Sequence, residues 1–162
     1  MIRLPRDEER LRAGITGRNL NVGEIRCFDC VESTIDVAFD LEREGAPHRS
    51  IVMAREQKRG RGRFDRSWYS APGGLYTSII LKDFLSDIPY SMVAALGVCR
   101  VLRALGADTT VKWVNDVLCD EKRKIAGVLV EEKPGCTVIG IGINLGTERF
   151  PPELEDSATS LF

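Results

Sequence analysis

The residues best able to do chemistry lie in one short segment, Gln57-Lys58-Arg59-Gly60-Arg61-Gly62-Arg63. Glycines such as Gly60 and Gly62 let a backbone approach a ligand closely. The interleaved guanidiniums are planar forks that fit phosphate or carboxylate oxygens. Trp68, just beyond, offers a flat face for an adenine or another ring. The segment has no Gly-Lys-Ser/Thr ending, so it is not a Walker A loop, and its glycine spacing is not that of a Rossmann fingerprint. Taken alone it fits a phosphate-bearing ligand and a solvated basic loop, binding RNA or nothing, about equally.

Three further clusters carry weaker signals. In Lys112-Trp113-Val114-Asn115-Asp116 the Asn and Asp can anchor a turn by bonding backbone amides. Lys124 opens the run Ile125-Ala126-Gly127-Val128-Leu129-Val130-Glu131, where it could neutralise an anionic ligand or simply snorkel to solvent. In Ile139-Gly140-Ile141-Gly142-Ile143-Asn144 the alternating glycines leave one strand face bare, for a ligand or for another backbone.

These clusters need a scaffold, and hydrophobic periodicity supplies one. Residues 1–20, polar and including Pro5 and Gly17, read as an arm or a short first helix, with the main domain over 21–162. Gly23–Cys30 and Ser50–Arg55 read as strands. Between them a helix capped by Ser33 or Thr34 runs toward Gly45, with Val37, Ala38 and Leu41 on its apolar stripe. Glu56–Gly73, poor in aliphatic residues, is a long loop of the kind that usually has a function. Gly74–Lys82 is a strand with Tyr76, Ser78 and Ile80 on one face. The spacing predicts a helix over Pro89–Leu105, with Met92, Leu96, Cys99, Leu102 and Leu105 in its stripe and Gly106 ending it. Strands follow at Thr110–Trp113, at Val117–Cys119 turning through Asp120–Arg123 into Lys124–Glu131, and at Thr137–Ile143. The tail Gly146–Phe162 looks irregular. The expected class is α+β: a mixed, mainly antiparallel sheet with helices packed on one side, and no βαβ series that would demand a parallel sheet.

Composition narrows the function classes. At 162 residues, 43% hydrophobic and 29% charged, the chain is long enough to bury a core as one soluble domain. A net charge of −1 gives no global attraction to nucleic acid or anionic lipid, and no apolar run is long enough to span a bilayer. The five cysteines, Cys27, Cys30, Cys99, Cys119 and Cys136, are odd in number and irregularly spaced, which disfavours a disulfide framework. With His48 the only histidine, Cys27 and Cys30 have no second pair to complete a metal site, and in a strand they would point to opposite faces. The expectation is a cytoplasmic protein with reduced core cysteines and neither nucleic-acid nor membrane partners.

Taken in order, the motifs resemble the biotin protein ligases. Those carrying the resemblance are Glu32-Ser33-Thr34, Gln57 to Arg63, Trp68, Ser70, Gly73-Gly74-Leu75-Tyr76, Lys112-Trp113 with Asn115-Asp116, Lys124-Ile125-Ala126-Gly127, Gly142-Ile143-Asn144, Phe150-Pro151-Pro152-Glu153-Leu154 and Ala158-Thr159-Ser160-Leu161. Together they run from about Ile25 to the last residue, and several dispersed motifs in the right order are more specific than any one.

The resemblance implies a fold shared with lipoate ligases and a set of roles. Ser33, Thr34 and Gln57 would meet the biotin head group. Gly60, Arg61, Gly62, Arg63, Lys124 and Gly127 would surround biotin and its carboxylate, within a loop that orders on binding. Arg63, Trp68 and Asn144 would hold the phosphate and adenine of ATP, and Asp116 would face the acceptor lysine. Arg63, Lys124 and Asp116 form the implied catalytic set. ATP, Mg2+ and biotin are the implied small molecules, with metal ligands unassigned, and the implied partner is a biotin carboxyl carrier protein. Alternatives of other kinds are a lipoate or other acyl ligase, a non-catalytic biotin binder, and one half of a split ligase.

Two residues depart from the family pattern: Val114 stands where proline is usual, and Ile35 where asparagine is common. Family members usually continue into a small β-barrel domain that has no counterpart up to Phe162, which leaves open a fragment, one half of a split ligase with a separate partner, a degenerate relative, or a homodimer. No helix-turn-helix is read ahead of the domain, and a repressor role is not expected.

Overall fold

The computed structural model describes residues 1–16, 18, 20–82, 87–120 and 122–162. Gly17 of the expected arm and Glu121 of the expected turn lie outside the described residues. Seven strands form one sheet in the order β1-β2-β3-β7-β6-β5-β4. They are β1 (Ile25–Val31), β2 (Ile51–Gln57), β3 (Gly74–Leu81), β4 (Thr109–Lys112), β5 (Asp116–Cys119), β6 (Arg123–Lys133) and β7 (Cys136–Asn144). Three helices among the described residues accompany them: α1 (Pro5–Thr16), α2 (Thr34–Arg43) and α3 (Tyr90–Ala104).

The mixed, mainly antiparallel sheet is as expected, with one addition. β1 and β2 pair in parallel, Ile25 beside Ile51 and Val31 beside Gln57, with α2 as their crossover. Strand, helix and strand lie where their periodicity placed them, and only the parallel pairing that makes them a βαβ unit was not expected. Every other pairing is antiparallel. After α3 the chain runs β4 to β7 as a meander and closes by pairing β7 with all eight residues of β3.

The helices divide between the two faces of the sheet, where the sequence suggested one. Alternate side chains point to opposite faces. Ile80 and Val138 pack with Ala38 and Phe39 of α2, whereas Leu75, Leu81, Ile139 and Ile143 pack with Ala95, Val98, Cys99 and Leu102 of α3. The expected α3 stripe is turned accordingly. Cys99 and Leu102 are buried, but Leu96 and Leu105 are 47% and 57% exposed, and Ala95 and Val98 face the sheet instead. Two neighbouring stripes share Cys99 and Leu102. The one with the small Ala95 lets the helix approach the strands closely.

Local chemistry explains the helix ends. Ser33 is extended (φ −152°, ψ 136°), and its hydroxyl accepts from the Ile35 amide at 3.3 Å, capping α2. Gly45 and Gly106 follow α2 and α3 at φ +97° and +94°. The next amides, Ala46 and Ala107, bond back to Leu41 and Leu102 carbonyls, the glycine-terminated helix end. All five cysteines are unpaired, and burial pushes the Cys27 thiol up to about 11, so it is inert at neutral pH.

Candidate active site

The α2 face of the sheet is bare where β6 and β7 carry glycine. Gly127 pairs with Gly142, and Leu129 with Gly140. Ile35 and Trp68 lie on this strip, and the Lys124 stem reaches it at Gly127. Ile35, at the start of α2, occupies the place a Cβ at Gly140 would need, 2.6 Å from its Cδ1. Trp68 lies across the next rung. A Cβ at Gly142 would stand 2.5 Å from the indole Nε1, and one at Gly127 3.0 Å from Cζ3. The alternating glycines are therefore a seat for an indole, with a cavity of about 50 Å³ beside it, space for a few waters.

The polar wall of this cavity comes from the α2 N-terminus and the end of β2. Gln57 Oε1 accepts from the Thr34 backbone N–H at 2.8 Å and from its hydroxyl at 3.0 Å. Gln57 Nε2 donates to Ser70 Oγ at 2.9 Å, and Ser78 Oγ donates to Thr34 Oγ1 at 2.8 Å. The chain Ser78–Thr34–Gln57–Ser70 fixes which edge of each group faces the cavity. Ser33, Thr34, Ser70 and Ser78 are buried.

The Gly-Arg loop forms a roof. It folds into a hairpin in which Arg61 bridges Ser67, Gly62 N–H donates to Arg66 C=O at 2.7 Å, and Trp68 N–H donates to Gly60 C=O at 2.8 Å. Gly60 is buried where a Cβ would meet Ser70 Oγ at 2.4 Å and Trp68 C=O at 2.6 Å, so only glycine fits. The exposed Arg63 reaches Asn115 Oδ1 at 3.3 Å, and Asn115 is itself fastened to Val128 on β6 by its Nδ2, at 2.8 Å. Tyr76 holds the loop's far end by donating to Ala71 C=O at 2.7 Å, and burial pushes its phenol up to about 12.

Lys124, the second residue of β6, lies at the mouth of the cavity. Its ammonium is 2.7 Å from Asp116 Oδ1 and 5.0 Å from the Trp68 ring centre. Its backbone is held by the tail: Lys124 N–H donates to Ser157 C=O at 2.7 Å and Thr159 N–H to Lys124 C=O at 3.0 Å. Asn144, buried at the end of β7, donates its amide to the same tail at Thr159 C=O, 3.0 Å.

Ser33, Thr34, Gln57, Arg61, Gly62, Arg63, Trp68, Lys124 and Gly127 thus line one cavity. Gly60 underlies it, Asp116 reaches it only through Lys124, and Asn144 faces the tail. Sequence reasoning missed Leu129, which lines the cavity beside Gly140. It also missed Asp36 and Glu131, both of which grip Arg61. Leu129 was legible, since it alternates with Gly127 on a strand, whereas the carboxylates give no signal apart from the folded loop. Among the described residues no cluster of three or more His, Cys, Asp or Glu side chains forms a metal site.

Comparison with known proteins gives the family to which this sheet, glycine seat and arginine loop belong. Residues 27–148 match the biotin/lipoate A/B protein ligase family, and the chain belongs to it. It is 37% identical over 148 residues to the bifunctional ligase/repressor BirA of Bacillus spizizenii, covering 82% of this chain and 44% of that protein. It is 31% identical over 175 residues to the biotin–[acetyl-CoA-carboxylase] ligase of Mycobacterium tuberculosis, covering 99% of this chain and 63% of that one. Among solved structures, the biotin protein ligase of Aquifex aeolicus in complex with biotin and ATP superposes with a TM-score of 0.77 at 31% identity, covering 88% of this chain and 60% of that one. The chain spans about half the length of the curated relatives it matches.

Proposed function

We propose that this domain activates biotin with ATP to form biotinyl-AMP and passes the biotinyl group to a lysine of a biotin carboxyl carrier protein, as a biotin–[acetyl-CoA-carboxylase] ligase. The observation that carries this reading is one cavity joining the Thr34–Gln57–Ser70 hydrogen-bond ladder, an apolar strip over paired glycines, and the cations Lys124 and Arg63. Those surfaces match in order the polar ring system and the carboxylate of biotin, for which the cavity of about 50 Å³ must widen.

The chemistry needs no protein nucleophile. The biotin carboxylate oxygen attacks the α-phosphorus, the bond to the bridging oxygen breaks, and pyrophosphate leaves with its electron pair. Lys124 and Arg63 supply fixed positive charge where the equatorial oxygens become more negative. In the second step the acceptor amine adds to the acyl carbon and AMP leaves. Asp116, beside Lys124, is the carboxylate we assign to face that amine. Trp68 offers its ring to adenine, and Asn144 supports the nucleotide side through the tail it anchors. Magnesium would enter with the nucleotide, whose phosphates supply oxygen ligands of the kind it prefers. Five unpaired cysteines are consistent with work in the cytoplasm, and no helix among the described residues is long and apolar enough to cross a membrane.

Calorimetric titration with biotin and then lipoate tests the substrate. Heat with biotin and none with lipoate is expected, and the reverse order of affinity would overturn the assignment.

A further inference from the structure

Arg61 was expected to hold a ligand anion, yet four of its five N–H donors are already engaged. Nη1 and Nη2 donate to the two carboxylate oxygens of Asp36 at 2.7 and 2.8 Å. Nε and Nη2 donate to Glu131 at 3.0 and 3.3 Å. Asp36 lies in the first turn of α2 and Glu131 on β6, two elements that also supply lining residues of the cavity that the Arg61 hairpin roofs. One guanidinium therefore ties the loop carrying Arg63 and Trp68 to both α2 and β6. The planar fork suits this use, and a lysine in its place could not bond both carboxylates in the same way. The cation holds Asp36 below the usual carboxylate range.

We propose that Asp36 and Glu131 are positioning residues that act through Arg61 to keep the loop closed over the acyl-adenylate, so that it is consumed by the acceptor lysine and not by water. In the competing loss, water oxygen adds to the acyl carbon, the bond from acyl carbon to phosphate oxygen breaks, and AMP and the free acid leave while protons pass to solvent. A closed roof excludes that water. The proposal rests on the biotin ligase reading for its chemistry, but the latch itself is a property of the loop.

The test compares the wild-type chain with Asp36→Asn, Glu131→Gln and the double variant in two assays. In the first, trypsin cleavage within residues 58–66 is followed without ligand under folded conditions. Partly exposed ion pairs are individually weak, so the double variant should be cut about three- to tenfold faster. In the second, biotin, ATP and an acceptor domain are supplied, and AMP released is divided by acceptor labelled. That ratio should rise by a similar factor, and Arg61→Lys should behave like the double variant. Unchanged cleavage overturns the latch, and faster cleavage with an unchanged ratio overturns its part in retaining the adenylate. If Arg61 serves the ligand directly, freeing it from both carboxylates should tighten ligand binding and lower the ratio, which also overturns the proposal. If the wild type forms no adenylate, the biotin ligase reading fails while the cleavage assay still decides the latch.

Discussion

The Lys124 ammonium lies 2.7 Å from the Asp116 carboxylate. The residue assigned to the phosphate and the residue assigned to the acceptor amine are thus one ion pair across β5 and β6. Both side chains keep roughly a quarter to a third of their surface in solvent (33% for Lys124 and 25% for Asp116), so the pair contributes little to stability and can open toward an anion.

Lys124→Ala and Arg63→Ala are each expected to slow adenylate formation by about 2–4 kcal/mol of transition-state stabilisation. Stability should change by about 1 kcal/mol or less. Single-turnover adenylation beside thermal melts measures both. A large loss of stability with unchanged activity per folded molecule would make these residues structural.

Gly142→Ala should evict the indole. The new methyl carbon would stand 2.5 Å from Trp68 Nε1, and the indole is the softer partner because the strand is paired on both sides. ATP affinity is expected to fall at least about tenfold, or 1.4 kcal/mol. In a Trp113→Phe background, which removes the exposed second tryptophan, Trp68 emission should shift to the red. Unchanged emission together with unchanged affinity would show that Trp68 does not depend on its glycine seat.

The cavity was legible where function needs unusual residue types. Glycines at 140 and 142 can only mark a bare strand face, and Ser33 before an apolar period marks a helix start. Both sit where the spacing put them. What escaped depends on choices between near-equal alternatives. The face of α3 that packs is set by the close approach at Ala95, not by the larger Leu96. The partners of Arg61 lie 25 and 70 residues away in sequence, and only the crossover of α2 and the register of β6 bring them together. The role expected for Asn144 met a local competitor, since the tail's Thr159 carbonyl takes its amide.

That competitor makes a prediction. Asn144→Ala should destabilise the fold by about 1–3 kcal/mol, because a buried carbonyl loses its donor, and it should free residues 157–162 for proteolysis. Urea melts with carboxypeptidase digestion measure this. Full stability with selective loss of ATP binding would assign the amide to the nucleotide instead.

Glu8 predicts an acid dependence. Its carboxylate accepts from Arg3 Nε at 2.8 Å, from Arg3 Nη2 at 2.6 Å and from the Cys27 amide at 2.9 Å. These bonds, the arginine first, hold it below its ordinary value. A carboxyl depressed in the folded state contributes stability above its unfolded pKa and loses it as pH falls through the folded one. Wild type should therefore be more stable than Glu8→Gln near neutrality, with the difference shrinking as pH falls below about 4. Melting both proteins across that range is the test, and a constant difference would mean that Glu8 acts by shape alone.

The central claim is that one cavity activates biotin with ATP. It is tested most directly by incubating the chain with α-labelled ATP, magnesium and biotin, and resolving the labelled products. The account predicts biotin-dependent biotinyl-AMP in wild type, none with lipoate, and strongly reduced product in Lys124→Ala and Arg63→Ala. A folded protein that forms no adenylate with biotin, or forms one equally well with lipoate, would contradict it.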